Sequence, residues 1–236
     1  MALAHYKDLC IDTNSEETLG RFWAAALGLK FNADGDGGDL GGATPEQKVW
    51  MNSVEEPKTV KHRVHLDVHA ASVEELVELG ATVLEPAADH PGRGWTVMAD
   101  PEGGEFCAFV REVDALPSYR LYEIVVDAAD PRLLATWWAD VLGVELGGDQ
   151  EKGWWWLEQV SGMPFEGWCF IPVPEPKAVK NRIHWDVTVE SLDLLIGAGA
   201  TVIRPRDDEI SWTICADPEG NEFCAFTAEN EAPADQ

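Results

Sequence analysis

The sequence predicts an α+β fold made of two tandem domains, each built from two β-rich modules. Three observations carry this. An eleven-residue phrase occurs twice, ADPEGGEFCAF from Ala99 and ADPEGNEFCAF from Ala216, altered only from Gly104 to Asn221. Further matches run in the same order: FWAAALGL at Phe22 with WWADVLGV at Trp137, EPKTVKHRVHLDV at Glu56 with EPKAVKNRIHWDV at Glu175, and GATVL at Gly80 with GATVI at Gly199. Within each copy, helices and strands alternate while hairpins link many strands, which favours α+β over a doubly wound parallel sheet. The spacing between copies drifts only slightly, so the halves differ by small loop changes. A boundary at REVDALPSYR gives domains over 1–115 and 116–236.

The elements of each half follow in order. KDLCIDT and YEIVVDA read as first strands. A helix comes next, with Leu19, Phe22, Trp23, Ala26 and Leu27 on one stripe, and Leu134, Trp137, Trp138, Val141 and Leu142 on the other copy's stripe. Asp130 and Pro131 supply an N-cap and a first-turn proline. Thr13 to Glu16 fits a capping box, with Ser15 as the other candidate cap. Gly28 and Gly143 suit left-handed C-caps. A glycine-rich stretch follows, read as short strands and turns, with GDGGDLGG from Gly35 as a flap or linker. RVHLDVHA and RIHWDVTV are strands, and SVEELVELGA and SLDLLIGAGA are short helices. The repeated phrase closes each half as strand, turn and strand. Asp-Pro-Glu-Gly suits a type I turn, and Gly104 and Asn221 both tolerate positive φ. Each half is therefore β-α-β-β(-β) followed by β-α-β-β.

Composition narrows the function classes. The 236 residues are 45% hydrophobic, enough for real cores. The net charge of −26, from 43 acids against 17 Lys and Arg, would repel nucleic acid and anionic lipid. No apolar run is long enough to span a bilayer and no signal peptide is evident, so a cytoplasmic location is expected. The five cysteines form no CxxC pair, which argues against a disulfide framework or a zinc knuckle. Walker, dinucleotide and GxSxG motifs do not appear.

The LxxFWxxxLG helix, the EPKxxKxRxHxDV strand and the DPEGxEFC turn, in order and duplicated, resemble the vicinal oxygen chelate superfamily. That group includes glyoxalase I, bleomycin-resistance proteins and dioxygenases. The resemblance covers nearly the whole chain, twice, and is nearest to glyoxalase-like domains. It implies βαβββ modules paired into half-open barrels around clefts. It leaves open whether modules pair within a half or exchange between halves. It also implies metal-ligand positions on particular strands. Carried over, these fall on Asp8, His65 and Cys107, and on Glu123, His184 and Cys224. The positions near Asn52 and Ile171 depart from the pattern, since Ile171 cannot bind a metal, and so do the two cysteines. A standard His and Glu set is therefore missing. Zinc, nickel, iron or manganese at the acid, His and Cys sets stands against a reading of both cysteines as small buried hydrophobes.

Strand parity adds a second set. Arg63, His65 and Asp67 share one face, as do Arg182, His184 and Asp186, opposite Val64, Leu66, Val68 and Ile183, Trp185, Val187. A His between Arg and Asp suits acid–base work, with His65 and His184 as catalytic candidates, or a structural polar ladder. The six basic residues around these strands, Lys58 and Lys177 among them, form an anion-binding rim or neutralise nearby acids. Eleven tryptophans include a run at 154–156, whose alternation puts Trp155 opposite Trp154 and Trp156. Trp50, Trp154 and Trp156 are the candidate stacking residues for a planar ligand.

Two function classes follow. The first is a metal-free binding or resistance-type protein that holds a small aromatic or apolar molecule, with acidity suited to cationic ligands. The second is a lyase- or isomerase-type enzyme using a cleft His as acid/base, with or without a divalent metal. The partners expected are a small molecule and no nucleic acid or membrane. The chain is expected to be a monomer with pseudo-dimeric halves, or a homodimer.

Overall fold

Ser15 and Asp130 start the two long helices. Each side chain accepts a hydrogen bond from a first-turn N–H, Ser15 from Thr18 and Asp130 from Leu133. Gly28 and Gly143 end them with φ of 72° and 67°. The computed structural model describes residues 2–34 and 37–227. Thr13 does not act as the cap, because its hydroxyl donates to Glu102 at 2.6 Å.

The first half runs β1 (Ala4–Thr13), α1 (Glu16–Leu27), β2 (Lys30–Asp34), β3 (Gly37–Gly41) and β4 (Val49–Ser53). It continues with β5 (Val64–Ala70), α2 (Val73–Glu78), β6 (Thr82–Glu85), β7 (Thr96–Ala99) and β8 (Glu105–Val110). The second half repeats it as β9 (Leu121–Ala128), α3 (Pro131–Leu142), β10 (Leu146–Asp149), β11 (Trp154–Glu158) and β12 (Gly167–Pro172). Then come β13 (Ile183–Val189), α4 (Leu192–Gly197), β14 (Thr201–Arg204), β15 (Thr213–Ala216) and β16 (Glu222–Thr227). The result is four βαβββ modules. β6 and β14 complete the second module of each half as edge strands. Most of GDGGDLGG is strand β3, paired antiparallel with β2, and Gly35 and Asp36 lie outside the described residues.

The strands form two open eight-stranded mixed sheets, ordered β14-β15-β16-β13-β1-β4-β3-β2 and β10-β11-β12-β9-β5-β8-β7-β6. β1 lies beside β13, and β9 beside β5, so first strands are exchanged between the halves. Parallel pairing joins β5 to β8 and β13 to β16, setting Asp67 opposite Cys107 and Asp186 opposite Cys224. The chain divides into two compact units, Cys10–Val125 and Met1–Leu9 with Val126–Gln236.

Aromatic clusters under the long helices build the cores. In the Cys10–Val125 unit, Phe106 meets Phe22 and Trp23 edge-on, with centroids at 5.8 and 5.3 Å. In the other unit Trp138 of α3 meets Trp168, Trp185 and Phe223 at 4.9, 5.3 and 5.1 Å. Such pairs add about 0.5–1.5 kcal/mol each beyond their buried area. Trp185 thus covers the helix, as strand parity predicts for the apolar face.

Candidate functional site

β5 and β8 bring three side chains together in the Cys10–Val125 unit. Alternation along β8 sends Phe106 to the α1 side and Cys107 to the opposite face. There Cys107 stands against Asp67 and His65. His65 Nε2 lies 3.5 Å from Asp67 Oδ1 and 3.7 Å from Cys107 Sγ. All three residues are buried.

Their electrostatics share one cause. Burial disfavours every charged form here, and lowers the His65 pKa to about 3, assisted by Lys61 and His62. Burial raises Asp67 well above the usual carboxylate range, and the Glu123 carboxylate raises it further. The Cys107 thiol is likewise pushed up by burial and then by Asp67. The set is a neutral imidazole beside two groups that resist ionisation. Such a thiol is a poor nucleophile, and such an imidazole a weak base.

The same three residues suit a metal ion by spacing. Their ligand atoms all lie within 4.8 Å of one another. Metal–ligand bonds of about 2.0 Å to N or O and 2.3 Å to S, set tetrahedrally, need N–S and N–O edges of about 3.5 and 3.3 Å. The observed separations come within a few tenths of an ångström of these. Bound there, a divalent ion would supply Lewis acidity. His65 Nδ1 has no hydrogen-bond partner among the described residues, so nothing fixes its tautomer from behind.

The remaining predicted residues distribute as follows. Of the two first-strand acids, Glu123 and not Asp8 lies in this unit, where its carboxylate acts on Asp67, because β9 lies beside β5. Asp8 belongs to the other unit, where it is buried and ion-paired with Lys7. That unit also holds buried His184, Asp186 and Cys224, whose thiol is raised by burial and by Asp186. Arg63 and Arg182 are half-buried just before β5 and β13. Trp50 is 41% exposed beneath Lys48 Nζ, at 4.7 Å. Trp155 pairs with Phe170 on the α3 side, under the Arg132 guanidinium. Trp156 pairs with Cys169 on the other face, which Trp154 shares by parity. Lys58 and Lys177 are tied to Glu105 and Glu222 at 2.9 and 2.6 Å, so these two neutralise acids rather than line a rim.

Sequence reasoning missed the aromatic row beside the buried set. Trp95 stacks on Phe109 at 5.7 Å, Phe109 meets Tyr122 at 5.1 Å, and Tyr122 meets His69 at 4.7 Å. Phe109 lies two residues beyond Cys107 and His69 two beyond Asp67, so the row continues their face. That periodicity was available in EFCAF and HLDVH.

The doubled phrase is largely accounted for by structure. Asp100 Oδ1 accepts from the backbone N–H of Glu102 and Gly104, at 2.9 and 2.7 Å, and Asp217 does the same for Glu219 and Asn221. Glu102 accepts from the N–H of Asn14 and Ser15 before α1, and Glu219 from Ala129 and Asp130 before α3. Positive φ falls on Gly103 and Gly220, both 82°, rather than on Gly104 and Asn221.

A glyoxalase-like domain model matches residues 8–109 and again 123–226. The chain belongs to the glyoxalase-like family of the vicinal oxygen chelate superfamily. Glyoxalase I from Zea mays shares the fold over 96% of this chain and 93% of its own, with a TM-score of 0.67 at 11% identity. A putative dioxygenase from Bacillus subtilis does so over 96% and 86%, with a TM-score of 0.63 at 13% identity. No curated protein matches. Among the described residues of this glyoxalase-like chain, no helix is long and apolar enough to cross a membrane.

Proposed function

We propose that this glyoxalase-like protein binds a small aromatic or apolar molecule, as a binding or resistance-type protein. The row of Trp95, Phe109, Tyr122 and His69 carries the reading. All but His69 are half-buried, so ring faces stay accessible for stacking. The neighbouring His65, Asp67 and Cys107 offer hydrogen bonds with little charge to desolvate. Acid–base catalysis through His65 fits less well, because its burial keeps the imidazole neutral and weakly basic. The test is a fluorescence and calorimetric titration of planar aromatic probes, naphthalene derivatives first, into the full chain. Saturable binding lost in Trp95→Ala and Phe109→Ala supports the reading, and absence of binding across the probes refutes it.

The spacing of His65, Asp67 and Cys107 favours a second reading, a metal-dependent enzyme. Its measurement is elemental analysis of untagged protein purified without chelator. Zinc, nickel, iron or manganese near one equivalent, lost in His65→Ala, would give this reading the lead. No metal, and no uptake on titration, would remove it.

A further inference from the structure

We propose that Arg111 reads a negative charge on the bound molecule, making the ligand class a planar aromatic carboxylate. The inference rests on the binding reading above and adds the sign of the ligand's charge. In so acidic a chain the overall field favours cations, so the local arrangement has to reverse it.

Three observations locate this reversal. The Arg111 N–H donates to Ala70 O at 2.9 Å, which carries the pairing with β5 one residue past the end of β8. Parity then puts Arg111 on the face of Cys107 and Phe109, at the end of their row. Its guanidinium lies over Phe109 and Tyr122, with Cζ 5.4 and 5.5 Å from the ring centroids. Arg111 is half-buried, yet among the described residues no carboxylate pairs with it. The neighbouring cations of the same unit are paired: Lys58 with Glu105, Arg93 with Glu85, and Arg120 with Glu75. A guanidinium seated over two rings, with no carboxylate partner among the described residues, leaves N–H donors for a ligand carboxylate, while the ring faces offer apolar surface for the rest of the ligand.

Among the described residues, the other unit shows no such arrangement. Trp212 stacks on Phe226 at 5.6 Å there, as Trp95 does on Phe109. Lys7 supplies the cation over Phe226, at 4.5 Å, but its charge is already met by Asp8. One carboxylate-reading subsite is therefore expected, in the Cys10–Val125 unit.

The test titrates 2-naphthoate, 2-naphthamide and 2-naphthylmethylammonium into the full chain by calorimetry, and into Arg111→Met and Arg111→Lys. The acid should bind at least tenfold more tightly than the amide or the amine. Arg111→Met should remove that preference, and Arg111→Lys should keep part of it. An amine or amide that binds as well as the acid overturns the proposal and leaves the aromatic-binding reading intact. So does an acid preference that survives in Arg111→Met. Failure of all three probes to bind overturns both. Should the Met variant unfold, the Lys variant and the three-probe comparison in the native chain still decide it.

Discussion

The change that separates the two copies of the repeated phrase should be costly if moved alone and tolerated if moved with its partner. A Cβ at Gly104 would lie 2.6 Å from Asp100 Oδ2 and 2.8 Å from His62 Cε1. Carbon contacts need about 3.5 Å, so one of these side chains must shift. Asp100 is held by two backbone N–H groups, which leaves His62 to move. In the other unit Asn221 fills the corresponding place. Its amide donates to Asp217 Oδ2 at 2.9 Å and its carbonyl oxygen accepts from Asn181 Nδ2 at 3.0 Å. Asn181 stands where His62 stands, since each backbone N–H donates to the glutamate that opens the last strand of its module, Glu222 of β16 or Glu105 of β8. Gly104→Asn should therefore destabilise by about 1–3 kcal/mol, the usual range for overpacking. His62→Asn should cost about 1 kcal/mol through the space it opens. The double variant should rebuild the Asn181–Asn221 pair and recover at least about 1 kcal/mol relative to the sum. Urea unfolding followed by circular dichroism measures each midpoint and slope. A neutral Gly104→Asn, or a strictly additive double variant, would refute the account.

Glu219→Gln should lower stability by about 1 kcal/mol, because one amide oxygen replaces a carboxylate serving two N–H groups at the start of α3; thermal unfolding reads it. Burial raises the Asp100 and Asp217 carboxyls to about 6, against two backbone hydrogen bonds that oppose it. Between about pH 4 and 6 the folded chain then holds more protons at these sites than the unfolded chain, so their contribution to stability falls as pH rises through that window. Carboxyl carbon NMR should give midpoints near 6, and midpoints near 4 would show that the hydrogen bonds win. Gly148→Ala should disturb the Trp155 indole, whose Cε3 would lie 2.3 Å from the new Cβ, and near-ultraviolet dichroism should change.

Local signals were legible wherever a single turn decides the structure. Asp130 with Pro131, and the glycines at 28 and 143, gave both helix ends because caps act over three or four residues. Thr13 misled because its hydroxyl is claimed by Glu102, far along the chain, leaving Ser15 to cap. The edge strands β6 and β14 carry four residues each with much exposed surface, too weak a pattern to read. Strand parity put His65 and Asp67 on one face. It could not show that Glu123 rather than Asp8 would join them, since that depends on which first strand lies beside β5. Arg111 was invisible for a related reason: that it has no carboxylate partner among the described residues is a fact of three-dimensional packing.

This division bears on how far a motif can carry an activity. In the repeated phrase, Asp100 and Asp217 tie the turn, Glu102 and Glu219 hold the helix start, and Glu105 and Glu222 fasten the preceding loop. Phe106 and Phe223 fill the core beneath the helix. Cys107, Cys224 and the ring two residues beyond each, which neither tie the turn nor fill that core, face the other side. A sequence can therefore keep the phrase intact for reasons of folding alone, whatever its site binds. The two units diverge elsewhere on that face, where Tyr122 and an Arg111 with no carboxylate partner among the described residues in one answer to an ion-paired Lys7 in the other. If chemistry distinguishes the two units, those positions are where it is written, and a match built on the phrase identifies the scaffold without naming the ligand.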